Sequence, residues 1–315
     1  MYEAKKYKVV LCAPTGRAAK RMQEQTGKEA ATIHRLLEIK KLEDEDYIAI
    51  DYPITPIDAD VVIIDEMSMV DTFLMNHILK AIYLGTKLVL VGDINQLPSV
   101  GPGTVLEDII ESERITTIKL NKIFRQAAKS KIITNAHKVN NGETFIGAKE
   151  EEDKLNDFFY INEMSMEKAL QDVISLCTGR LKNYGDYDFF KNIQVLTPTK
   201  KGMLGTKELN KQLQNVLNPK SEIEKQSGDR VFRIGDRVMQ IKNNYDIYWE
   251  REKEEKIENG SGIFNGELGR ITAINEEEKI LQVFFDDEKT AWYEFSNLDE
   301  LEHSYSITIH KSQRK

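Results

Sequence analysis

The chain has 315 residues, enough for two domains with separate hydrophobic cores. With 40% hydrophobic and 30% charged residues it has the composition of a globular protein with a well-solvated surface; its net charge of -8 argues against coating nucleic acid by bulk attraction but leaves room for a local basic groove. Apolar runs such as VVII at 61–64 and LVLV at 88–91 fall far short of the ~20 residues that cross a bilayer, and Cys12 and Cys177 are too few for a disulfide framework or a zinc site.

The N-terminal MYEAKKYKVV runs into a strand without a signal-like apolar core, which predicts a cytoplasmic protein. KVVLCA (8–13) predicts a buried strand and GRAAKRMQEQ (16–25) the helix after it. ADVVIID (59–65) is the next strand, DTFLMNHILKAIY (71–83) the next helix, and KLVLVGD (87–93) a further strand. Their continuous apolar character, without alternation, demands cover on both faces, so the fold class is α/β with a parallel sheet between helices. IKKLEDEDYIAIDYPITP, about 39–58, breaks that pattern and predicts a β-hairpin insertion, with an acidic loop as the competing reading.

From about Thr117 the character changes. SKIITNAHKVNNGE reads as a helix ending near Asn141-Gly142, NIQVLTPT (192–199) as a strand ending in a turn, and MLGTKELNKQLQNVL (203–217) as an amphipathic helix of a second α/β unit. Short alternating strands punctuated by Gly-Asp, Asn-Gly and Asp-Asp then predict a small all-β barrel over 229–296. The predicted organisation is a first domain at 1–116, a second at 117–228 and 297–315, and the barrel inserted into the second. The barrel aromatics Phe264, Phe284, Phe285, Trp292, Tyr293 and Phe295 read as core.

Asp65 and Glu66 end a buried strand, at the sheet edge where open α/β folds bind ligands. One carboxylate there can hold Mg2+ while its neighbour deprotonates an attacking water, a division suited to phosphoanhydride hydrolysis; two ordinary surface acids would look the same in isolation. GDINQLPSVGPG (92–103) supplies Gln96, an uncharged group able to sense a γ-phosphate. APTGRAA (13–19) joins a strand to a helix, a place to touch an extended polyanion, and NKIFRQAAK holds Arg125, a candidate arginine finger.

Together, APTGRAAKRM with TIHRLL, VVIIDEMSMVD, LVGDINQLPSVGPG, LNKIFRQA, VLTPTKKGMLGTKELNKQLQNVLNP, GDRVMQIKNNYD, FNGELGRI and YSITIHKSQ resemble, in this order, the successive motifs of RecD-like superfamily-one DNA helicases, the exodeoxyribonuclease V alpha subunit and its stand-alone relatives. The resemblance covers essentially the whole chain. It implies two RecA-like motor domains with ATP and Mg2+ between them, an SH3-like barrel in the second, and 5′-to-3′ translocation on single-stranded DNA in recombination or repair. It also implies partner subunits of an exodeoxyribonuclease V-type complex. Carried over by position, Asp65 is the magnesium acid, Glu66 the general base, Gln96 the γ-phosphate contact and Arg125 the transition-state cation. Pro14, Thr15 and Arg17 fall in the first DNA-contact motif, and Thr197, Thr199, Thr308, His310 and Ser312 match strand-gripping positions.

One part is missing. The sequence holds no G-x-x-x-x-G-K-[ST]; QTGKEA comes nearest, with Glu29 after Lys28. The final helicase motif is also lacking after HKSQRK. A fragment of a longer helicase, with little or no ATP turnover of its own, is the resulting expectation. The competing expectations are a non-catalytic module that binds single-stranded DNA and an RNA-acting superfamily-one helicase.

Overall fold

The computed structural model describes residues 2–39, 54–120, 130–145, 157–220, 223–253 and 256–313. They fall into two compact units, Met1–Asn162 and Glu163–Lys315, each with buried clusters of its own.

In the first unit, strand β1 (Val9–Ala13) leads to helix α1 (Gly16–Thr26), then β2 (Ala30–Thr32), α2 (Ile33–Leu36), β3 (Val61–Ile64), α3 (Thr72–Ala81), β4 (Lys87–Leu90), α4 (Val105–Glu111) and α5 (Lys131–Asn140). The strands form one parallel sheet in the order β2-β1-β3-β4. Val61, Val62 and Ile64 of β3 are all buried, which is why this strand carries no polar alternation. Each fully buried side chain of this kind contributes about 1.5–3 kcal/mol. Helix boundaries follow from local chemistry: the Thr15 hydroxyl accepts from the Ala18 N–H to start α1, and Gly27, at φ 65°, ends it in the left-handed conformation. Asp71 caps α3 in the same way, accepting from the Leu74 N–H.

Two local features depart from the sequence reading or lie beyond it. Strand β2 was not anticipated, because EAATIHRLL has no β-branched run; Ala30–Thr32 becomes a strand by pairing with Leu11–Ala13, and Thr32 then caps α2. The centre of the expected hairpin, residues 40–53, lies outside the described residues. Of its return limb, Ile57 makes a parallel bridge to Ile82, and the Thr55 hydroxyl donates to Glu38.

The second unit begins with α6 (Met166–Ser175), which passes through a π-helical turn (Leu176–Arg180) into α7 (Leu181–Gly185). Next come α8 (Phe189–Asn192), β5 (Val195–Thr197) and α9 (Thr206–Leu217). A run of strands follows: β6 (Glu224–Ser227), β7 (Arg230–Arg233), β8 (Arg237–Gln240), β9 (Asn244–Lys253), β10 (Lys256–Ile263), β11 (Leu268–Asn275), β12 (Ile280–Phe285), β13 (Thr290–Glu294) and β14 (Leu301–His303). β15 (Ser306–Thr308) and α10 (Ile309–Gln313) close the unit. Seven strands build an antiparallel sheet in the order β10-β9-β13-β12-β11-β8-β14, the SH3-like part of the molecule, and β6 pairs with β7. After it the chain returns, and β15 lies parallel to β5 with Thr308 opposite Thr197. Of the aromatics read as core, Phe285 and Tyr293 are buried, whereas Phe284 is exposed; Trp292 instead stacks on Tyr248 and Phe264 packs on Tyr245. Phe284 precedes the buried Phe285 on one strand, so strand alternation sends it outward.

A buried carboxylate organises this unit. Asp236, with no exposed surface, accepts from Gln214 Nε2 (2.7 Å), Asn218 Nδ2 (2.7 Å), the Arg233 N–H (2.8 Å) and the Tyr305 hydroxyl (2.8 Å), and His303 Nε2 lies 3.1 Å away. It therefore joins α9, the β7–β8 turn, β14 and the start of β15. The adjacent Arg237 donates to the carbonyls of Phe189 and Ile193, tying β8 to α8.

Candidate active site

All three predicted loops of the first unit leave the carboxyl edge of the same parallel sheet. Pro14, Thr15 and Arg17 follow β1, Asp65 and Glu66 follow β3, and Gly92 to Gln96 follow β4. Backbone hydrogen bonds continue the sheet into these loops: the Asp65 N–H donates to the Cys12 carbonyl, the Val91 N–H to Ile64, and the Met67 N–H to Val91. The two carboxylates are thus fixed to both neighbouring strands, not carried on a free loop.

Glu66 occupies the left-handed region, at φ 55° and ψ 42°, a conformation unfavourable for a residue with a Cβ. Its N–H is held by Asp65 Oδ1 at 2.9 Å. The torsion turns the chain sharply between β3 and the short 3-10 turn Met67–Met69, so adjacent carboxylates diverge instead of alternating along a strand. The Glu66 carboxyl is raised above the ordinary glutamate value, first by burial and then by the negative charge of Asp65; Arg21 draws it down and Asp93 pushes it up. A raised carboxyl at the carboxyl edge of a parallel sheet has chemistry suited to a general base.

The loop bearing Gln96 is shaped by the same Asp93. Asp93 Oδ1 accepts from the Asn95 N–H and its carbonyl accepts from the Gln96 N–H, while Asn95 Oδ1 receives Asn140 Nδ2 from α5. Glycines let this loop lie on the β3–α3 connection. A Cβ at Gly92 would stand 3.0 Å from the Met67 nitrogen, and one at Gly101 would stand 1.9 Å from Asp71 Oδ2, the carboxylate that caps α3. The Pro102 carbonyl completes the contact by accepting from the Thr72 N–H.

In the second unit, Thr197 and Thr308 end the paired strands β5 and β15. Most of the predicted grip hydroxyls make local bonds. Thr197 donates to the Leu204 carbonyl, Thr199 to the Lys201 carbonyl and Ser312 to the Ile309 carbonyl, and Thr308 Oγ1 accepts from the Lys311 N–H. His310 is exposed. Arg125 lies outside the described residues. Arg21 and Asp93 were not singled out from the sequence; a weak signal for Arg21 is its place one helical turn after Arg17 on α1.

Among the described residues no three His, Cys, Asp or Glu side chains form a cage for a metal ion. A nucleotide-borne Mg2+ is held by one or two carboxylates together with phosphate oxygens and water, so Asp65 has the right donor chemistry for it.

A parallel α/β sheet with paired acids at its carboxyl edge, accompanied by an SH3-like domain, is a RecA-like helicase fold. Residues 1–159 match the model of an AAA domain, and residues 209–285 match that of the SH3 domain of ATP-dependent RecD-like DNA helicases. The chain belongs to the family of RecD-like DNA helicases. It is similar to the ATP-dependent RecD2 DNA helicase of Deinococcus radiodurans, 34% identical over 312 residues, covering 97% of this chain and 37% of that protein. It is also similar to the RecBCD enzyme subunit RecD of Buchnera aphidicola, 27% identical over 375 residues, covering 98% of this chain and 58% of that subunit. Among solved structures, the Pif1 helicase from Bacteroides in complex with ADP-AlF3 and ssDNA shares the fold with a TM-score of 0.51 at 18% identity, covering 98% of this chain and 74% of that one.

Proposed function

We propose that this chain carries the hydrolytic acids and strand-contacting loops of an ATP-dependent helicase that moves 5′ to 3′ along single-stranded DNA in recombination or repair in the cytoplasm. The observation that carries the reading is the convergence of the β1, β3 and β4 loops at one sheet edge, with Glu66 raised by burial and by Asp65. In this reading Asp65 would hold a nucleotide-borne Mg2+, which would supply neutralisation of phosphate charge. Glu66 takes the proton of the attacking water, Gln96 reports the γ-phosphate, and Arg125 supplies transition-state charge. Pro14, Thr15 and Arg17 touch the strand from the first unit. Thr197, Thr199, Thr308, His310 and Ser312 shape or make contacts from the second. Partner subunits of a RecBCD-type assembly belong to the same proposal.

The 315 residues hold no G-x-x-x-x-G-K-[ST] sequence, so the chain alone lacks the usual amide cradle and lysine for the β- and γ-phosphates. Single-stranded DNA binding is therefore expected to survive without nucleotide and to weaken steeply with salt. ATP turnover is expected to stay at background with or without DNA. Fluorescence anisotropy with DNA and RNA oligonucleotides, paired with a phosphate-release assay, tests both. DNA-stimulated turnover well above background would place the phosphate site elsewhere in these residues, and a preference for RNA would favour the RNA-acting alternative.

A further inference from the structure

A narrow cleft in the second unit is lined by Lys200, Thr206, Glu302, Ser306, Thr308 and Lys311. Its volume is about 20 Å³, room for about one water molecule. The largest polar occupant is already in place: Lys311 Nζ lies 2.6 Å from Glu302 Oε2, a half-buried ion pair. Burial pushes the Glu302 carboxyl up, but the hydrogen bond and charge of Lys311, with Arg230 and Lys200 beyond, hold it below the ordinary value. Lys311 is thus bonded directly to the carboxylate, and the charges of Arg230 and Lys200 act on it as well. The leading amides of α9 add nothing further, because Thr206 and Lys207 donate to the carbonyls of Thr199 and Lys200.

Beside this ion pair stands a group with nothing to bind. Ser306 is 1% exposed, and its Oγ has no hydrogen-bond partner among the described residues, although its backbone is fixed by Asn210 on α9. A buried hydroxyl without a partner costs about 1–3 kcal/mol unless something completes it. The cleft opens beside Thr308 at the carboxyl end of the parallel pair β5 and β15, the edge that carries the predicted grip residues. Glu302 is free to move only as a side chain, since its backbone is paired with Met239 in β14 and β8.

We propose that Lys200, Thr206, Ser306, Thr308 and Lys311 form a phosphate-binding cleft in which the Glu302 carboxylate is a resident occupant, displaced by a backbone phosphate of single-stranded DNA. The inference rests on the strand-contacting reading above and adds the group that opposes it. A carboxylate and a phosphodiester compete for the same lysines, so the grip on any one phosphate is weakened by an amount the protein itself sets. A strand that must advance needs such a release, because cations with no internal competitor would hold each phosphate too long.

The test measures affinity of the full 315-residue chain for a fluorescein-labelled oligo-dT, without nucleotide, for the wild type, Glu302→Gln, Lys311→Ala and the double variant. Glu302→Gln keeps the shape and removes the charge, and is expected to tighten binding roughly three- to tenfold. Lys311→Ala is expected to weaken it, and Glu302→Gln on that background to recover little. Glu302→Ala repeats the measurement if thermal melting shows that the glutamine disturbs β14. Unchanged or weaker DNA binding by both Glu302 variants, beside a wild type that binds, overturns the resident-carboxylate proposal and leaves the strand-contacting reading standing. A second arm titrates inorganic phosphate. Binding of phosphate but not DNA by Glu302→Gln would keep the cleft and overturn DNA as its ligand; binding of neither by any variant overturns both proposals.

Discussion

At the scale of single residues, Glu66 is the carboxyl on which burial and three neighbouring charges meet. Its carboxyl is raised by burial and by Asp65, lowered by Arg21 and raised again by Asp93. Carbon-13 NMR titration should find it above the ordinary glutamate value; Asp93→Asn should lower the midpoint and Arg21→Met should raise it. A titration unmoved by either variant would show that these charges do not reach Glu66. If Glu66 acts as a base, its deprotonated form fails as pH drops through the raised value, so Asp93→Asn should extend activity of an ATPase-competent protein toward acid. The placement of Asp65, Glu66 and Gln96 at the carboxyl edge of the sheet was legible in the sequence because the two acids and the loop bearing Gln96 come after apolar strands. Arg21 and Asp93 were not, because their influence on Glu66 arises through space between loops that sequence spacing does not align.

Secondary-structure elements are held by a few polar and glycine positions. At Gly101 even a methyl group would collide with the Asp71 carboxylate that caps α3. Gly101→Ala should cost about 1–2 kcal/mol by displacing that cap, measured as a shift in urea midpoint. Asp236 should be more sensitive: Asp236→Ala strands donors from four elements and is expected to cost about 3 kcal/mol or more. Burial pushes the Asp236 carboxyl up, but hydrogen bonding and charge from His303, with bonds from Asn218 and Tyr305, hold it below its ordinary 3.8. A depressed carboxyl contributes stability that is complete above the unfolded value and is lost as pH falls through the folded one. The stability gap between wild type and Asp236→Asn should therefore shrink as pH falls below about 4. The long elements, α1, β3, α3 and α9, could be read from apolar period and caps. Strand β2 could not, because its three residues become a strand through the partner beside them and not through propensity.

For the molecule as a whole, the division at Asn162 places the barrel core around Leu281, Val283, Phe285 and Tyr293 and the Asp236 network in one unit. Residues 163–315 produced alone are expected to unfold in urea in a single cooperative transition monitored by both tryptophan fluorescence and circular dichroism. Separate transitions for the two probes would show that the barrel and the β5–β15 pair do not fold together. The left-handed backbone at Glu66 has its own global effect, since that torsion costs a residue with a side chain about 1–2 kcal/mol. Heat-selected libraries screened only for solubility should therefore drift toward glycine or asparagine at codon 66. Survivors of such a screen would melt later than the parent and would have discarded the carboxyl proposed as the general base, so breeding this protein for robustness would select, at that codon, against the proposed chemistry.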